Sequence, residues 1–251
     1  MKTDKIVSQI TKVAALIVLT TTLNIASELS FSSTQKKTAM IELYTSQGCS
    51  SCPPADKWLS ELKTHPDLFK RFIPLAFHVT YWDFIGWKDV FAQEEFDTRQ
   101  RNYAKIWKSR SVYTPQFIVD AKEYREWFSY KALPNFSNEL VGKLSLTLHD
   151  NQQLSITFDN KTNYKKRATV NIAVLGFDYN IPIKKGENQN RELNHDFVVL
   201  EFEQYPINLK KSLLNKKYFL PKLKNNKRKA IVVFITTQKN EPLQAVGGFL
   251  N

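Results

Sequence analysis

The sequence from Ile41 to Leu62 is IELYTSQGCSSCPPADKWLSEL, and this stretch decides the expected fold of the first half of the chain. It begins as a short apolar strand and continues into a turn of small and polar residues. Apolar residues then recur at helical spacing, at Ala55, Trp58, Leu59 and Leu62. The pattern predicts a strand, a turn and a helix, with Cys49 and Cys52 on the first turn of that helix.

Cys49 and Cys52 are the two cysteines of a 251-residue chain, which excludes a multi-disulfide scaffold and any four-cysteine zinc or iron–sulfur site. The partial positive charge at a helix N-terminus lowers the pKa of a thiol, so we expect an exposed, nucleophilic Cys49. Cys52 is then expected to be shielded and to resolve the mixed disulfide. Half of a metal site and an inert structural disulfide stay open as alternatives.

The first 26 residues have the pattern of an export signal. Lys2, Lys5 and Lys12 precede an uncharged, largely apolar stretch from Val13 to Ala26. A helix of that length is shorter than a bilayer core of about 30 Å, which favours a cleaved signal over a permanent anchor. We therefore predict a periplasmic or secreted protein, in a compartment where disulfides persist, with membrane association only if the segment stays uncleaved.

The rest of the chain divides into three segments. Residues 27–39 are polar and rich in Ser and Thr, which predicts a linker. Residues 40–142 alternate strand and helix patterns, which is typical of an α/β domain. After Gly142 the apolar residues recur with a period of two, which predicts a mostly antiparallel, sandwich-like β domain over residues 143–251.

A second apolar strand is expected over Ile73–Val79, and three local patterns follow it. A long helix is expected from Val90 to Trp107, with Asp89 as its N-cap. A strand is expected over residues 124–128. A short helix is expected over residues 134–141.

Basic residues are concentrated in the last part of the chain. The formal net charge is +12, from 36 Lys and Arg against 24 Asp and Glu, and most of the excess falls between residues 141 and 251. Such a face is most simply a solvated lysine-rich surface, although it could also attract an acidic partner or anionic lipid. The sequence has no helix-turn-helix or zinc-finger pattern, so we do not expect nucleic-acid binding.

Three further motifs carry a resemblance to a known family. They are LAFHVTYWDFIGWKDVFAQEEFDTRQRNYA from Leu75, SVYTPQFIVD from Ser111 and GENQNRELNHDFVV from Gly186. Together with the stretch at residues 41–62, they resemble the secreted thioredoxin-like proteins of domain-of-unknown-function family 1223. The resemblance implies a thioredoxin-like fold for residues 40–142, and it implies no established substrate.

The resemblance also implies that the Thr114–Pro115 bond is the cis-proline bond of such a fold. The residues alone leave the isomer open, because most X–Pro bonds are trans. A cis bond there would expose the backbone of Thr114 to an extended peptide lying across the cysteines. One departure from the family is Ala121, which stands where Gly is usual in the turn after Asp120.

Glu42 is the candidate proton carrier. In thioredoxin-like domains an acid at about this place lies beneath the dithiol and exchanges a proton with the buried cysteine. Glu42 matches that acid if the turn is one residue longer, at Gln47. Burial would raise the pKa of this carboxyl toward neutrality. A Glu at a strand edge that faces water is the alternative.

A cluster of aromatic and charged residues follows the second apolar strand and contains His78, Trp82, Asp83, Trp87 and Lys88. Beside the dithiol, Trp82 and Asp83 are predicted to form a wall that binds substrate, together with Thr114 and Pro115, and Asp83 is expected to hold an indole N–H. Tryptophans of this kind are also common in cores, so a purely structural cluster is the alternative.

The sequence favours one function and leaves two others open. We predict thiol–disulfide exchange on exported protein thiols or disulfides, with an unidentified redox partner and no cofactor. A copper-handling chaperone would use Cys49, Cys52 and His78, whose ligand types suit copper or zinc. The third possibility is a binding module whose disulfide is purely structural.

Overall fold

The computed structural model describes residues 28–130, 132–149, 151, 153–209, 213–219 and 227–250. The segment expected to be a signal peptide, residues 1–26, lies outside these ranges. Among the described residues, no helix has the length and apolar character needed to cross a bilayer. Strands account for 43% of the structure and helices for 16%, so the protein is mostly β.

The described residues form strands β1 (Leu29–Ser32), β2 (Ala39–Thr45), β3 (Phe72–His78), β4 (Gln116–Val119), β5 (Lys122–Glu123), β6 (Leu144–Leu148), β7 (Gln153–Asp159), β8 (Arg167–Gly176), β9 (Tyr179–Pro182), β10 (Glu192–His195), β11 (Val198–Asn208), β12 (Leu213–Phe219), β13 (Lys229–Thr237) and β14 (Pro242–Leu250). The helices are α1 (Pro53–Glu61), α2 (Glu94–Trp107) and α3 (Trp127–Tyr130). Short 3-10 turns cover Leu62–Thr64 and Asp83–Ile85.

The largest sheet runs in the order β14-β13-β8-β11-β3-β2-β4-β5. Strands β2 and β3 are parallel, and α1 lies in the connection between them, because parallel neighbours need a long crossover. On the other side of β2, strands β4 and β5 add an antiparallel hairpin. A large mixed sheet of this kind fits the α/β class expected from the sequence.

The same sheet continues past the domain boundary expected at residue 142. Strand β11, from the second half, pairs parallel to β3, and the Ala76 N–H donates to the Phe197 carbonyl at 2.8 Å. Strands β8, β13 and β14 then extend the sheet with antiparallel pairs. The two halves therefore share one sheet, which brings elements of the second half beside α1.

A second sheet, in the order β1-β6-β7-β12, lies against one face of the large sheet. Along β6 and β7 the buried residues alternate with more exposed ones, as the period-two pattern predicts. The core between the sheets includes Leu144, Leu146, Leu154, Ile156, Phe158, Val170, Ile172, Ile231, Val233, Ile235 and Val246. This part of the molecule is therefore a β-sandwich.

Part of the segment expected to be a linker, residues 27–39, forms a strand, because β1 lies there and pairs antiparallel with β6. Phe31 is one of the inward residues of β1, and a Cβ on Gly248 would collide with its ring. The outward residue Ser30 instead bonds the Thr147 hydroxyl at 2.9 Å. The segment is polar in composition because only every second residue of β1 contributes to the core, and the sequence pattern therefore did not predict a strand.

Helix α2 begins at Glu94 rather than at residue 90. The Asp89 carboxylate does not cap it, because this side chain accepts the Gln47 amide and contacts His78 instead. Asp89, which the sequence indicated as the N-cap, therefore makes tertiary contacts instead, and Gln93 occupies the N-cap position.

Two further local expectations need correction. In place of a strand over residues 124–128 there are the short β5 and the one-turn helix α3. No helix forms over residues 134–141. Phe136 in that segment stacks on Phe72 at 5.2 Å between ring centroids. Contacts with the core, rather than local periodicity, set the path of the chain here.

The turn between β4 and β5 holds two non-glycine residues in the left-handed region, Asp120 at φ 48° and Ala121 at φ 64°. The Asp120 side chain compensates, since it accepts the Met40 amide at 3.0 Å and pairs with Lys37 at 3.1 Å. Ala121 has only a methyl group, so its side chain offers no such compensation for the positive φ.

Ala121→Gly should raise the free energy of unfolding by about 1 kcal/mol, because Gly reaches positive φ without the Cβ penalty. Urea unfolding measures the change. Ala104→Gly in α2 is a control of opposite sign, since Gly inside a helix costs about 1 kcal/mol. An Ala121→Gly protein that is no more stable than the wild type would contradict the prediction.

Candidate functional site

Cys49 and Cys52 form a disulfide in the turn that links β2 to α1. We call residues 46–52 the cysteine turn. It lies at the carboxyl ends of the parallel strands β2 and β3. Within it, the Cys49 N–H donates to the Ser46 carbonyl, and the Cys52 N–H donates to the Cys49 carbonyl. The predicted order of strand, turn and helix around the cysteines is confirmed.

The helix begins at Pro53, so both cysteines precede it and Cys52 is its N-cap. Pro53 and Pro54 have no N–H to donate. The next two amides, those of Ala55 and Asp56, both donate to the Cys52 carbonyl. The first turn of α1 therefore leaves no amide to bind a thiolate, and the expected activation of a thiol by the helix start lacks this support.

Both cysteines are fully buried, at 0% exposure, which corrects the expectation of an exposed Cys49. Trp82 and Ile85 lie against Gly48, where an added Cβ would approach the Trp82 side chain at 3.0 Å. Asn188, from the second half, donates to the Cys49 carbonyl at 2.9 Å. Two loops that are distant in sequence thus cover the cysteine turn.

Asp56 is the acid that the structure places beside the disulfide. It follows Cys52 by one helical turn, and its N–H donates to the Cys52 carbonyl at 3.1 Å. Its buried carboxylate accepts the Thr45 hydroxyl at 3.0 Å. Burial raises the pKa of this carboxyl to about 7, although the charge of His78 opposes the shift. Asp56 therefore titrates near neutral pH, as an acid–base group should.

Sequence reasoning did not single out Asp56. The available signal was its position within the helix, since residues 52, 55, 56 and 59 share one face and the others are apolar or cysteine. An acid on such a face is expected to be buried, and burial raises the pKa of a carboxyl.

Glu42 is buried, at 1% exposure, but it does not lie beneath the disulfide. Successive residues of a strand point to opposite faces, so Glu42 faces α2 whereas Thr45 faces α1. The Arg99 guanidinium donates to both Glu42 oxygens, at 2.8 and 2.7 Å. The hydroxyls of Tyr44 and Tyr103 donate to the same carboxylate at 2.9 and 2.8 Å. Glu42 is thus an ion-pair partner of α2, on the opposite side of the sheet from α1.

His78 and Asp89 form a fully buried pair, with His78 Nδ1 2.7 Å from an Asp89 oxygen. The same carboxylate accepts the Gln47 N–H at 2.8 Å, which ties the pair to the cysteine turn. Burial by itself would lower the pKa of His78, but the charge of Asp89 raises it above its ordinary value. Burial would raise the pKa of Asp89, but His78 lowers it. Each partner therefore favours the charged form of the other.

His195 lies against His78, with ring centroids 4.9 Å apart, and is also buried. Burial, together with the charge of His78, lowers the pKa of His195 to about 3, although the charge of Asp89 opposes the shift. Neither of its ring nitrogens has a hydrogen-bond partner among the described residues. His195 is therefore neutral in the fold near pH 7 and leaves two polar atoms unsatisfied.

The Thr114–Pro115 bond is cis, as the resemblance implies. The Trp82 indole donates to Thr114 Oγ1 at 2.7 Å, so Trp82 is held against this bond. A groove of about 380 Å³ connects it with the cysteine turn and is lined by Ser51, Pro54, Tyr113, Thr114, Pro115, Arg125, Trp127 and Phe128. Phe128 is 74% exposed, so the groove has an apolar wall that faces solvent.

Asp83 does not hold an indole N–H, contrary to the expectation from the sequence. Its carboxylate accepts the Asp89 amide at 3.2 Å. The Trp87 indole donates instead to the Gln47 side chain at 2.9 Å. Of the predicted substrate-binding residues, the structure brings Trp82 to the Thr114–Pro115 bond, and Asp83 does not line the groove.

Cys49, Cys52 and His78 do not form a metal site in this structure. Within the part of the chain that the structure describes, no three His, Cys, Asp or Glu side chains are arranged to hold a metal ion. Both sulfur atoms are joined in the disulfide, and His78 Nδ1 contacts Asp89. The copper-handling alternative therefore gains no support from the geometry.

The chain belongs to the family described as protein of unknown function (DUF1223), whose model matches residues 40–236. A crystal structure of a protein from Agrobacterium tumefaciens is similar, with 20% identity and a TM-score of 0.58, and the match covers 86% of this chain and 96% of that one. HBP35 of Porphyromonas gingivalis matches with 12% identity and a TM-score of 0.56, over 86% of this chain and 76% of that one. No match is found among curated proteins. At these identities the likeness shows the fold alone.

Glu42→Leu should lower the free energy of unfolding by about 3–5 kcal/mol, because it leaves the buried Arg99 charge uncompensated. The double variant Glu42→Leu/Arg99→Met should recover most of that loss, because it removes both charges from the core. Urea unfolding of the single and double variants completes the cycle. Losses that simply add would show that the two side chains are not energetically coupled.

His195→Phe should stabilise the protein, and more so at pH 5 than at pH 7.5. The pKa of His195 is about 3 in the fold and about 6.5 in the unfolded chain. Between these two values the unfolded state therefore binds more protons than the folded state. The free energy of unfolding of the wild type consequently decreases as the pH falls from 6.5 toward 3. His78 and Asp89 face the ring in both proteins. Urea unfolding at the two pH values measures the difference, and a gain that does not depend on pH would contradict this explanation.

Proposed function

We propose that this protein exchanges thiols and disulfides with exported protein substrates, through Cys49 and Cys52 in a thioredoxin-like half. Several features support this proposal. A strand, helix and strand unit is followed by a long helix and an antiparallel hairpin, and the cysteine pair lies just before α1. A cis-proline bond precedes β4 and lines the same groove as Ser51 of the cysteine turn.

The main support for this proposal is the buried carboxyl of Asp56, one helical turn after Cys52. A structural disulfide has no need of an acid, and burial of an acid without an ion-pair partner is unfavourable to folding. The Asp56 carboxyl is nonetheless buried one turn after Cys52, with a pKa raised by burial to about 7. A group with these properties matches the proton requirement of a cysteine that alternates between thiol and disulfide near neutral pH.

The proposed step begins when a thiolate of the partner attacks Cys49 Sγ. A new S–S bond forms, the bond between Cys49 and Cys52 breaks, and Cys52 leaves as a thiolate. Asp56 donates its proton to that sulfur, which would otherwise be a buried charge. A second thiolate of the partner then displaces Cys49, which leaves as a thiolate and takes a proton from water, so the partner is oxidised and this protein retains two thiols. In the reverse direction Asp56 takes the proton back.

The groove supports a polypeptide as the partner. It has one end at Ser51, next to the cysteines, and an apolar wall that includes Trp127 and the exposed Phe128. An extended chain laid along this wall can bury apolar side chains while its cysteine lies near Cys49.

Burial favours a second candidate, in which the disulfide is structural and the protein is a binding module. Both cysteines have 0% exposure, and a sulfur that a thiolate cannot approach does not exchange. The two candidates differ in one measurable property. An exchange protein is reduced by dithiothreitol while it is folded, whereas a structural disulfide of this kind is reduced only on global unfolding.

At low dithiothreitol, where the rate is still proportional to its concentration, Asp56→Asn should slow reduction of the folded protein at least about tenfold at pH 6, because the leaving Cys52 thiolate loses its proton donor. The deficit should vanish above pH 8, where the wild-type carboxyl is already ionised given its pKa of about 7. Thiol appearance at a series of pH values gives the profile. The matched control is Glu61→Gln, because Glu61 lies on the same helix and lines, with Asp56, a cavity beside α1. This variant should be reduced as fast as the wild type.

A stability measurement on the same variant checks the pKa itself. The Asp56 pKa is raised in the fold, so the stability that it contributes is present at low pH and is lost as the pH rises from about 4 to 7. Asp56→Asn should remove this dependence. For the reduction by dithiothreitol, a deficit of Asp56→Asn that is the same at pH 6 and pH 8 would show that Asp56 has a structural role only.

A further inference from the structure

A hairpin from the second half lies over the cysteine turn. Strands β9 and β10 pair antiparallel with each other as a two-stranded sheet of their own. We call residues 179–195 the arm and residues 183–191 its tip. Backbone hydrogen bonds within the tip order it: the Asn190 N–H donates to the Ile183 carbonyl, and the Arg191 N–H donates to the Asn188 carbonyl.

Two side chains of the tip hold the backbone of the cysteine turn. Asn188 is fully buried, and its Nδ2 donates to the carbonyls of Gln47 and Cys49, each at 2.9 Å. Its Oδ1 accepts the Arg191 guanidinium at 2.8 Å, which fixes the orientation of the amide. Glu187 accepts the Ser50 N–H at 3.1 Å. The tip thus binds the chain on both sides of Cys49.

The base of the arm is fastened separately. Lys63 Nζ lies 2.5 Å from Asp178 and 2.9 Å from Asp196, the residues that flank the arm. Between these ion pairs and the tip, a cavity of about 560 Å³ separates the arm from α1, with Asp56 and Arg191 in its lining. Part of the arm is packed, since Ile183 and Leu193 are buried and Gly186 lies against Ile85. The side-chain hydrogen bonds of Asn188 and Glu187 join the tip to the backbone of the cysteine turn.

We propose that the arm is a gate that selects polypeptide partners over small thiols. With the tip in place, both cysteines are buried and a thiolate cannot reach either sulfur. Lifting the tip removes the partners of the Gln47 carbonyl and the Ser50 amide, and it leaves the Cys49 carbonyl with the Cys52 N–H alone. An incoming polypeptide replaces those bonds with its own backbone groups, whereas a small thiol has none to offer. This inference deepens the proposed exchange function and rests on it for its purpose.

The rate at which dithiothreitol reduces the folded protein tests the gate. Its two thiols are oxidised to a cyclic disulfide, and Cys49 and Cys52 each gain a proton. The wild-type rate should level off as dithiothreitol increases, because opening of the arm becomes limiting. Asn188→Ala and Glu187→Gln should raise that plateau, with Asn188→Ala giving about fivefold or more, the factor expected from losing a net hydrogen bond. Gln189→Ala, an exposed neighbour in the same tip, is the matched control and should leave it unchanged.

A rate that rises linearly with dithiothreitol in the wild type and is the same in all variants would overturn the gate. Urea unfolding of each variant shows whether reduction occurs from the folded state, and the milder Glu187→Gln keeps the test valid if Asn188→Ala does not fold.

A parallel assay with reduced, denatured lysozyme separates the two proposals. A gated disulfide that never oxidises lysozyme refutes the exchange function but not the gate, whereas exchange with ungated kinetics refutes only the gate.

Discussion

The parallel pairing of β3 with β11 is the constraint on which the candidate site depends. It is fixed where the Ala76 N–H meets the Phe197 carbonyl at 2.8 Å. Strand β10 ends at His195, immediately before β11 begins. Once β11 lies beside β3, the arm must therefore lie beside α1, and His195 must lie against His78. The cover over the disulfide and part of the burial around Asp56 both follow from this single strand pair.

On the opposite face of the sheet, the buried Arg99 side chain contacts residues of both halves of the chain. Its guanidinium carbon lies 5.5 to 5.6 Å from the ring centroids of Phe77, Phe202 and Phe234, and its nitrogens donate to Glu42. Rings from both halves surround it, and they supply cation–π attraction where water is absent. A buried ion pair of this kind adds little net stability but is costly to break. Its main effect is to hold α2 in one position against both halves.

Most of the local structure was predictable, because each strand or helix of the correct segments is specified by its sequence neighbours. The order of β2, α1 and β3 and the period-two strands of the sandwich are examples. The site was less predictable, because its contacts are long-range: Asn188 and Cys49 are 139 residues apart, and Glu42 and Arg99 are 57 apart. Glu42 was misassigned because a shift of one residue along a strand reverses the face that a side chain occupies. The motif from Gly186 contains Glu187 and Asn188, but its local pattern does not indicate that these residues cover the cysteines.

The origin of the cover in the second half has a consequence for biosynthesis. The chain is made from its N-terminus at about 5–20 residues per second, so the cysteine turn leaves the ribosome several seconds before the tip of the arm. During that interval the two cysteines lack the cover that Asn188 and Glu187 supply in the finished fold. Oxidants and reductants that the finished fold admits only when the arm opens therefore have direct access to the cysteines of a chain that is still being made.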